Sequence, residues 1–568
     1  MLGLPVVRRE HRAALSSLCG ALVMMALLSQ LLGCGLVGTQ GATSRLLPVT
    51  DITLEVQVQT SPHTAPVCSG SFVAEDLNHV TSGPGNTAST FDGTGAGVAA
   101  GDLDDDGDVD LVLPNLSGAT TVLENPGLNL GPWRVHELQV GRFRQASVVD
   151  TDGDNDLDIV LTTGIGPPVL FENAGTGSLT GFDRQLFPDV RAATYAMAWG
   201  DLHGDGDLDL VTGSYNAELT ILRNSPVLGS DTGVIVHERG ADGSFNAVRV
   251  APDAQALAVV LVDINADGKD DIVVGNDLAT ADGIWLDADG GWRRVTPFAS
   301  SSYSTMSLDA ADIDNDGTLE IYSTDMAPMA DANLDDYREV LQDLEAAPRP
   351  DEVQIPENVL MGLDGSANDA PRLGIDATGW SWSGIFGDLD NDGLQDLYVV
   401  NGMRSDQLFA FLPDSRLVEK NQIFRNTGDT LESVSWGLGD PAGGRGMVQE
   451  DVDGDGDLDI VVNNLDAPAR LYRNELCVGS SVTLELRWPG SANTRALGTT
   501  VQVADANDVL RTRLVTSSRG YLSGQSPRVH VGVGSPAPDD QLIVRILWPD
   551  GEISQLVATA GQHLIITR

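Results

Sequence analysis

Aspartate recurs at fixed spacing through the middle of this chain, in runs whose side-chain oxygens would converge on one point. Seven nine-residue runs carry donor side chains at positions 1, 3, 5 and 9, all of them oxygen donors except His203, with a backbone carbonyl available at position 7. The first four place these positions at Asp102, Asp104, Asp106, Asp108 and Asp110; Asp150, Asp152, Asp154, Asp156 and Asp158; Asp201, His203, Asp205, Asp207 and Asp209; and Asp263, Asn265, Asp267, Lys269 and Asp271. Three more follow at Asp312, Asp314, Asp316, Thr318 and Glu320; Asp388, Asp390, Asp392, Leu394 and Asp396; and Asp451, Asp453, Asp455, Asp457 and Asp459. Glycine, or Asn155 in the second run, stands at position 6 and permits the sharp bend. Hard oxygen ligands in this number suit Ca²⁺, up to seven ions, whereas Mg²⁺ demands a smaller octahedral site and Zn²⁺ prefers His or Cys. His203 is a poorer calcium ligand than a carboxylate, so the third loop is expected to bind most weakly. Metal-free acidic turns are disfavoured, because seven copies would stack like charges without compensation.

An EF-hand would need Glu at position 12 and flanking helices, but each run is followed by a strand-like stretch such as Leu111-Val-Leu113 or Ile460-Val-Val462. The loops therefore join strands. They begin at 102, 150, 201, 263, 312, 388 and 451. Units of that length, each with a small-residue strand entering the loop and an apolar strand leaving it, predict an all-β chain: a seven-bladed β-propeller with calcium loops, over residues 68–476. Third strands are expected at Thr121–Asn125, Val169–Asn173, Thr220–Asn224, Gln422–Asn426 and Arg470–Asn474. The seventh unit lacks a fourth strand of its own, and Ser69–Leu77 can supply it, closing the ring and removing its edges. Closure would bring Cys68 beside Cys477, where a disulfide is expected. A helix is expected in an insert at 330–347, with Leu334, Tyr337, Leu341 and Leu344 on one face.

The chain has 568 residues and a formal net charge of -49, from 33 Lys+Arg against 82 Asp+Glu. Phosphate backbones would be repelled, which argues against nucleic acid and for cations. Arg8, Arg9 and Arg12 precede an almost uncharged run ending Leu31-Leu32-Gly33-Cys34, the pattern of an export signal over 1–33 whose cysteine becomes a lipid anchor. Residues 34–67 then read as anchor and tether, with a local strand in Asp51–Thr60. Residues 477–568 alternate apolar and polar residues in short runs, predicting a small antiparallel β domain.

The D-x-D-x-D-G repeats resemble the FG-GAP/VCBS repeats of integrin α-type propellers. Ala496-Leu-Gly-Thr-Thr500, Gly520-Tyr-Leu-Ser-Gly-Gln525, Val529-His-Val-Gly-Val-Gly534 and Trp548-Pro-Asp-Gly551 resemble the ASPIC/UnbV domain of the cartilage acidic protein family. The resemblance implies an extracellular calcium-binding protein with an adhesive or ligand-binding role. Tyr521 and Gln525 are expected in turn and packing roles rather than on a ligand. No G-x-S-x-G, H-E-x-x-H or G-x-x-x-x-G-K-[ST] is present, so no catalytic residue is assigned. The expectation is a surface lipoprotein, on a bacterial outer membrane or cell surface, that binds an extracellular protein or glycan. The membrane contact is the lipid at Cys34. A propeller polysaccharide lyase or glycoside hydrolase, with its carboxylate pair among the many aspartates, is the alternative, and a purely structural scaffold a third reading.

Overall fold

Small residues dominate the strands that enter the acidic loops, and they do so because those strands meet at a crowded centre. The structure, a computed structural model, describes residues 52–568 except 84–89, 128–130, 176, 188, 225–228, 279, 289–290, 328–353, 364, 366, 403–418 and 538–539. The export signal, Cys34 and the 330–347 insert lie outside the described residues.

The first unit is an antiparallel sheet of Ala99–Gly101, Asp110–Leu113, Ala119–Glu124 and Arg134–Val140. Six further sheets repeat it, beginning at Ala146–Val149, Ala196–Gly200, Ala256–Val262, Ser307–Ala311, Gly379–Gly387 and Gly444–Glu450. All but the fifth have the four repeating strands; the fifth has three among the described residues. Each of these first strands is almost wholly buried. They form a closed cycle: neighbours touch from sheet to sheet, and Gln145 joins the second to the third by exchanging hydrogen bonds with Met197 of 2.8 and 2.7 Å. A Cβ on Gly446 would come within 2.4 Å of Gly97 Cα, so the seam between the seventh and first sheets has no room for a side chain there.

The seventh sheet is completed by Phe72–Val80, which pairs antiparallel with Pro468–Asn474 from Phe72↔Asn474 to Asp76↔Arg470. Cys68 and Cys477 are disulfide-bonded just outside this pair, with Cα atoms 5.7 Å apart.

Two elements differ from the sequence expectation. Thr220–Asn224 lies in a helix, Asn216–Arg223, and the third strand of that sheet is Val234–Arg239. The helix wins because Leu219 and Glu218 share its inward side, and Glu218 forms buried ion pairs with Arg144 (2.6 Å) and Arg142. Asn224 ends it in the left-handed conformation, φ 49°. Residues 52–67 are also more than a tether. Gln57–Pro62 pairs with Gln562–Thr567, and Leu54 and Val56 pack on the C-terminal core, so the alternation there is that of an edge strand of the second domain.

The C-terminal domain holds two four-stranded sheets. One orders Gln57–Pro62, Gln562–Thr567, Ser480–Arg487 and Arg528–Gly534; the other orders Leu510–Leu514, Thr500–Ala504, Leu542–Leu547 and Ile553–Ala558. Ser480–Arg487 runs parallel to Gln562–Thr567, so the domain is mixed rather than purely antiparallel. Between its sheets the chain leaves the domain and enters the centre of the propeller. There Ser517 Oγ donates to Trp199 O (2.8 Å), Ser518 Oγ to Val259 O (2.6 Å) and Gly524 N–H to Val98 O (2.9 Å). Arg519 makes a two-pronged ion pair with Asp309 at 2.6 and 2.8 Å. Tyr521 is fully buried against Trp382, ring centroids 5.2 Å apart, and its hydroxyl donates to Thr94 O at 2.9 Å.

Candidate metal centres

Each acidic run folds into the same loop because its own carboxylates cap its own backbone. In the first loop Asp102 accepts the N–H groups of Asp106 and Gly107 (both 3.1 Å), and Asp106 accepts that of Asp108 (2.9 Å). In the seventh, Asp451 accepts Asp455 (3.0 Å) and Gly456 (2.9 Å), and Asp455 accepts Asp457 (3.0 Å). The backbone is left-handed at position 6 in every loop, Asn155 included (φ 79°), and at position 4 as well, at Asp105, Gly153, Gly204, Ala266, Asn315, Asn391 and Gly454. The requirement at position 4 is hidden in the sequence because four different residue types satisfy it.

The position-9 carboxylate ties the loop to the sheet. Asp110 accepts Leu103 N–H at 3.0 Å with one oxygen and Asn125 N–H at 2.8 Å with the other; Asp158, Asp396 and Asp459 repeat the arrangement. The asparagine that ends the third strand then reaches sideways to the preceding sheet. Asn125 Nδ2 donates to Val452 O, Asn173 to Leu103 O, Asn426 to Ile313 O and Asn474 to Leu389 O, each at 2.7 Å. These stitches were visible in the sequence only as recurring Glu-Asn and Arg-Asn strand ends. In the third sheet Arg239 takes the position and donates to Thr151 O (2.6 Å), whereas Asp287 in the fourth has no side-chain donor to offer.

Five loops bring three acidic residues together with ligand oxygens within 4.8 Å of one another: Asp102, Asp104 and Asp110; Asp150, Asp152 and Asp158; Asp312, Asp314 and Asp316; Asp388, Asp390 and Asp396; Asp451, Asp453 and Asp459. Within these loops one oxygen each of Asp104, Asp312, Asp388, Asp453 and Asp457 is buried with no donor. Burial pushes the carboxyls up, Asp110 to about 8 with Asp104 and Asp102 adding to the effect, Glu320 to about 8, and Asp388 to about 8 against the opposing Arg513. An all-oxygen, acceptor-only cluster with orphaned buried oxygens fits a hard divalent cation, and Ca²⁺ best by ligand number. The acidic side chains at positions 1, 3, 5 and 9 and the position-7 carbonyls would hold it.

The third and fourth loops form no such trio among the described residues. His203 Nε2 lies 3.7 Å from Glu238. Asn265 donates to Asp267 Oδ2 (2.9 Å), and Lys269 Nζ reaches Asp287 (2.6 Å) rather than the loop centre. In the sixth loop Arg425 offsets part of the charge, pairing with Asp390 at 2.6 Å and Asp392 at 2.8 Å.

Repeated antiparallel sheets with acidic strand-connecting loops define a repeat propeller. Family models agree: the FG-GAP-like repeat matches residues 150–212 and 263–323, and the ASPIC and UnbV model matches 482–568. The chain is similar to cartilage acidic protein 1 of Xenopus tropicalis, 24% identical over 294 residues covering 49% of this chain and 41% of that one. It is similar to cartilage acidic protein 1 of Mus musculus at 24% identity over 328 residues, covering 56% and 37%. The chain thus spans about two fifths of the length of these relatives. Among solved structures, BBS1N in complex with ARL6DN soaked with mercury aligns at a TM-score of 0.41 and 8% identity, covering 72% of this chain and 98% of that one. An ancestral GH74 enzyme aligns at 0.39 and 12%, covering 87% and 63%. At those scores neither likeness bears on function.

Tyr521 and Gln525 lie inside the molecule, with Gln525 only 8% exposed and donating to buried Glu450. Both have packing roles.

Proposed function

We propose that this protein is an exported, calcium-binding, seven-bladed propeller that binds an extracellular protein or glycan, tethered to a bacterial envelope by lipid at Cys34. The observation that carries the reading is the recurrence of a three-carboxylate cluster on five equivalent loops, with buried acceptors that lack donors in four of them. Calcium there is read as a strut rather than a catalyst, because a cage closed by protein oxygens leaves little space for substrate. Six of the seven loops on one edge of the propeller carry the C-terminal domain. The partner is therefore assigned to the opposite edge, where connections such as 114–118 and 162–168 join second strands to third.

The test immobilises residues 35–568 in calcium, applies envelope extract and polysaccharides, and elutes with chelator. A specific chelator-eluted partner supports the reading. Calcium titration that shows no saturable sites sinks the calcium assignment. Cleavage of an applied polysaccharide would replace the binding role with the lyase or hydrolase alternative.

A further inference from the structure

The C-terminal domain rests on the acidic loops themselves. It reaches the position-6 carbonyl of four of them: Arg528 donates to Gly107 O (2.8 Å), Arg495 to Asn155 O (3.0 Å), Ser491 to Gly206 O (2.6 Å) and His530 to Gly456 O (3.0 Å). Further contacts extend to the fifth and sixth loops, where Thr512 N–H donates to Asp312 Oδ2 (3.2 Å) and Gly534 N–H to Asn391 O (2.7 Å), and Thr494 Oγ1 donates to Asp150 Oδ2 (2.7 Å) in the second. Six of the seven loops therefore carry the domain, and carbonyls rather than carboxylates make most of the contacts. Such contacts depend on loop shape more than on loop charge. A carbonyl points at its donor only while the left-handed residues at positions 4 and 6 hold the turn.

The same domain supplies the segment that fills the propeller axis. Residues 516–526 touch the inner strands of the sheets through main-chain pairings, Ala99↔Gly524 and Leu308↔Gly520, and through the Arg519–Asp309 pair. The inner-strand groups they satisfy, such as Trp199 O and Val259 O, belong to buried sheet edges that would otherwise face a channel. The axis is in this sense a peptide site, lined by main-chain acceptors and aromatic side chains, and its occupant is the chain's own Ser-Arg-Gly-Tyr-Leu-Ser-Gly-Gln stretch.

We infer that ion binding at the loops and seating of residues 516–526 in the axis are one coupled equilibrium: ordered loops dock the domain, and loss of the ions releases the segment and opens the axial peptide site. The inference rests on the calcium reading above. Removing the ions leaves three carboxylates mutually within 4.8 Å in each of five loops, all five of them touched by the domain, and their repulsion spoils those turns. Increased negative charge would by itself draw Arg528 and Arg495 closer, but that attraction cannot restore a carbonyl's direction.

Coupling is reciprocal, so unseating the segment must weaken ion binding by the same factor. Gly524→Val places a Cβ 2.6 Å from Ala146 O and touches no loop; Tyr521→Phe removes the hydroxyl bond to Thr94 O, also away from the loops, and serves if the first variant fails to fold. The experiment measures calcium titration and amide exchange on residues 35–568. With chelator, the amides of Gly520 and Gly524 should exchange before those of Ala256–Val262. The variants should bind calcium about fivefold or more weakly. A protein that binds no calcium refutes the calcium reading and this inference together. A protein that binds calcium yet keeps Gly520 and Gly524 protected under chelator, loses them together with the inner strands, or shows unchanged affinity in the variants refutes the coupling alone.

Discussion

Asn173 offers the sharpest test of how the sheets are joined. Its Nδ2 donates to Leu103 O at 2.7 Å and Leu157 O at 3.1 Å, and its Oδ1 accepts Gly175 N–H at 3.2 Å. Leu103 is gripped from both sides, since its N–H is held by Asp110 of its own loop. Asn173→Ala removes the sideways donor and leaves the Leu103 carbonyl buried without it. A net hydrogen bond contributes about 1 kcal/mol and an orphaned buried acceptor costs about 1–3, so the expected loss is about 2–4 kcal/mol. Asn173→Asp keeps the shape but replaces the donor with a charge facing two carbonyls, and should cost at least as much. Asn173→Ala leaves the backbone N–H that caps Asp158 in place, so calcium stoichiometry should not change. The assay is urea unfolding at saturating calcium followed by tryptophan fluorescence, paired with amide exchange over 99–113 and 146–172. A loss below about 0.5 kcal/mol, with no local rise in exchange, would refute the idea that these asparagines stitch the sheets.

Asp110→Asn should lower calcium stoichiometry by one, measured by calorimetric titration, whereas Asp209→Asn in the third loop should leave it unchanged. Reducing the Cys68–Cys477 bond, which spans 409 residues, should destabilise the ring by up to about 6 kcal/mol on chain-entropy grounds, with Phe72–Val80 the first strand to lose exchange protection. Burial holds His79 and His237 down to about 4. Both stay neutral when folded but protonate when unfolded, so the stability they confer is present above pH 6.5 and lost as pH falls toward 4. The loss is about 3 kcal/mol for each. Urea midpoints at saturating calcium should fall across that window, and His79→Gln should flatten the fall.

Much of this architecture could be read from residue types because ligand chemistry leaves little freedom. A cluster of oxygens needs Asp at alternate positions and a bend at position 6, and seven such runs at blade spacing announce the repeating sheets. Ring closure was legible for a negative reason, a seventh unit short of a strand. The helix at Asn216–Arg223 was not, because Thr220-Ile-Leu-Arg-Asn224 imitates the ending of a third strand, and burial of Leu219 with Glu218 opposite Arg144 and Arg142 decides against it. The axial segment was equally hidden. Gly520 and Gly524 look like turn residues until the propeller around them shows that a Cβ at either would strike Ser383 or Ala146. The weakness of loops as ligand sets could be foreseen at His203 but not at Lys269, whose attraction to Asp287 depends on a strand 18 residues away.

The order in which the chain leaves the ribosome conflicts with the order in which its parts can be completed. Phe72–Val80 emerges early yet has no partner until Pro468–Asn474 arrives, and every inner strand waits longer still for residues 516–526. Contacts of such sequence separation make folding slow and leave unpaired strand edges exposed meanwhile. A chain cut after the seventh sheet would therefore be an unfinished ring with an open hub rather than a tidy propeller, and it should be far more prone to aggregate than the full-length protein.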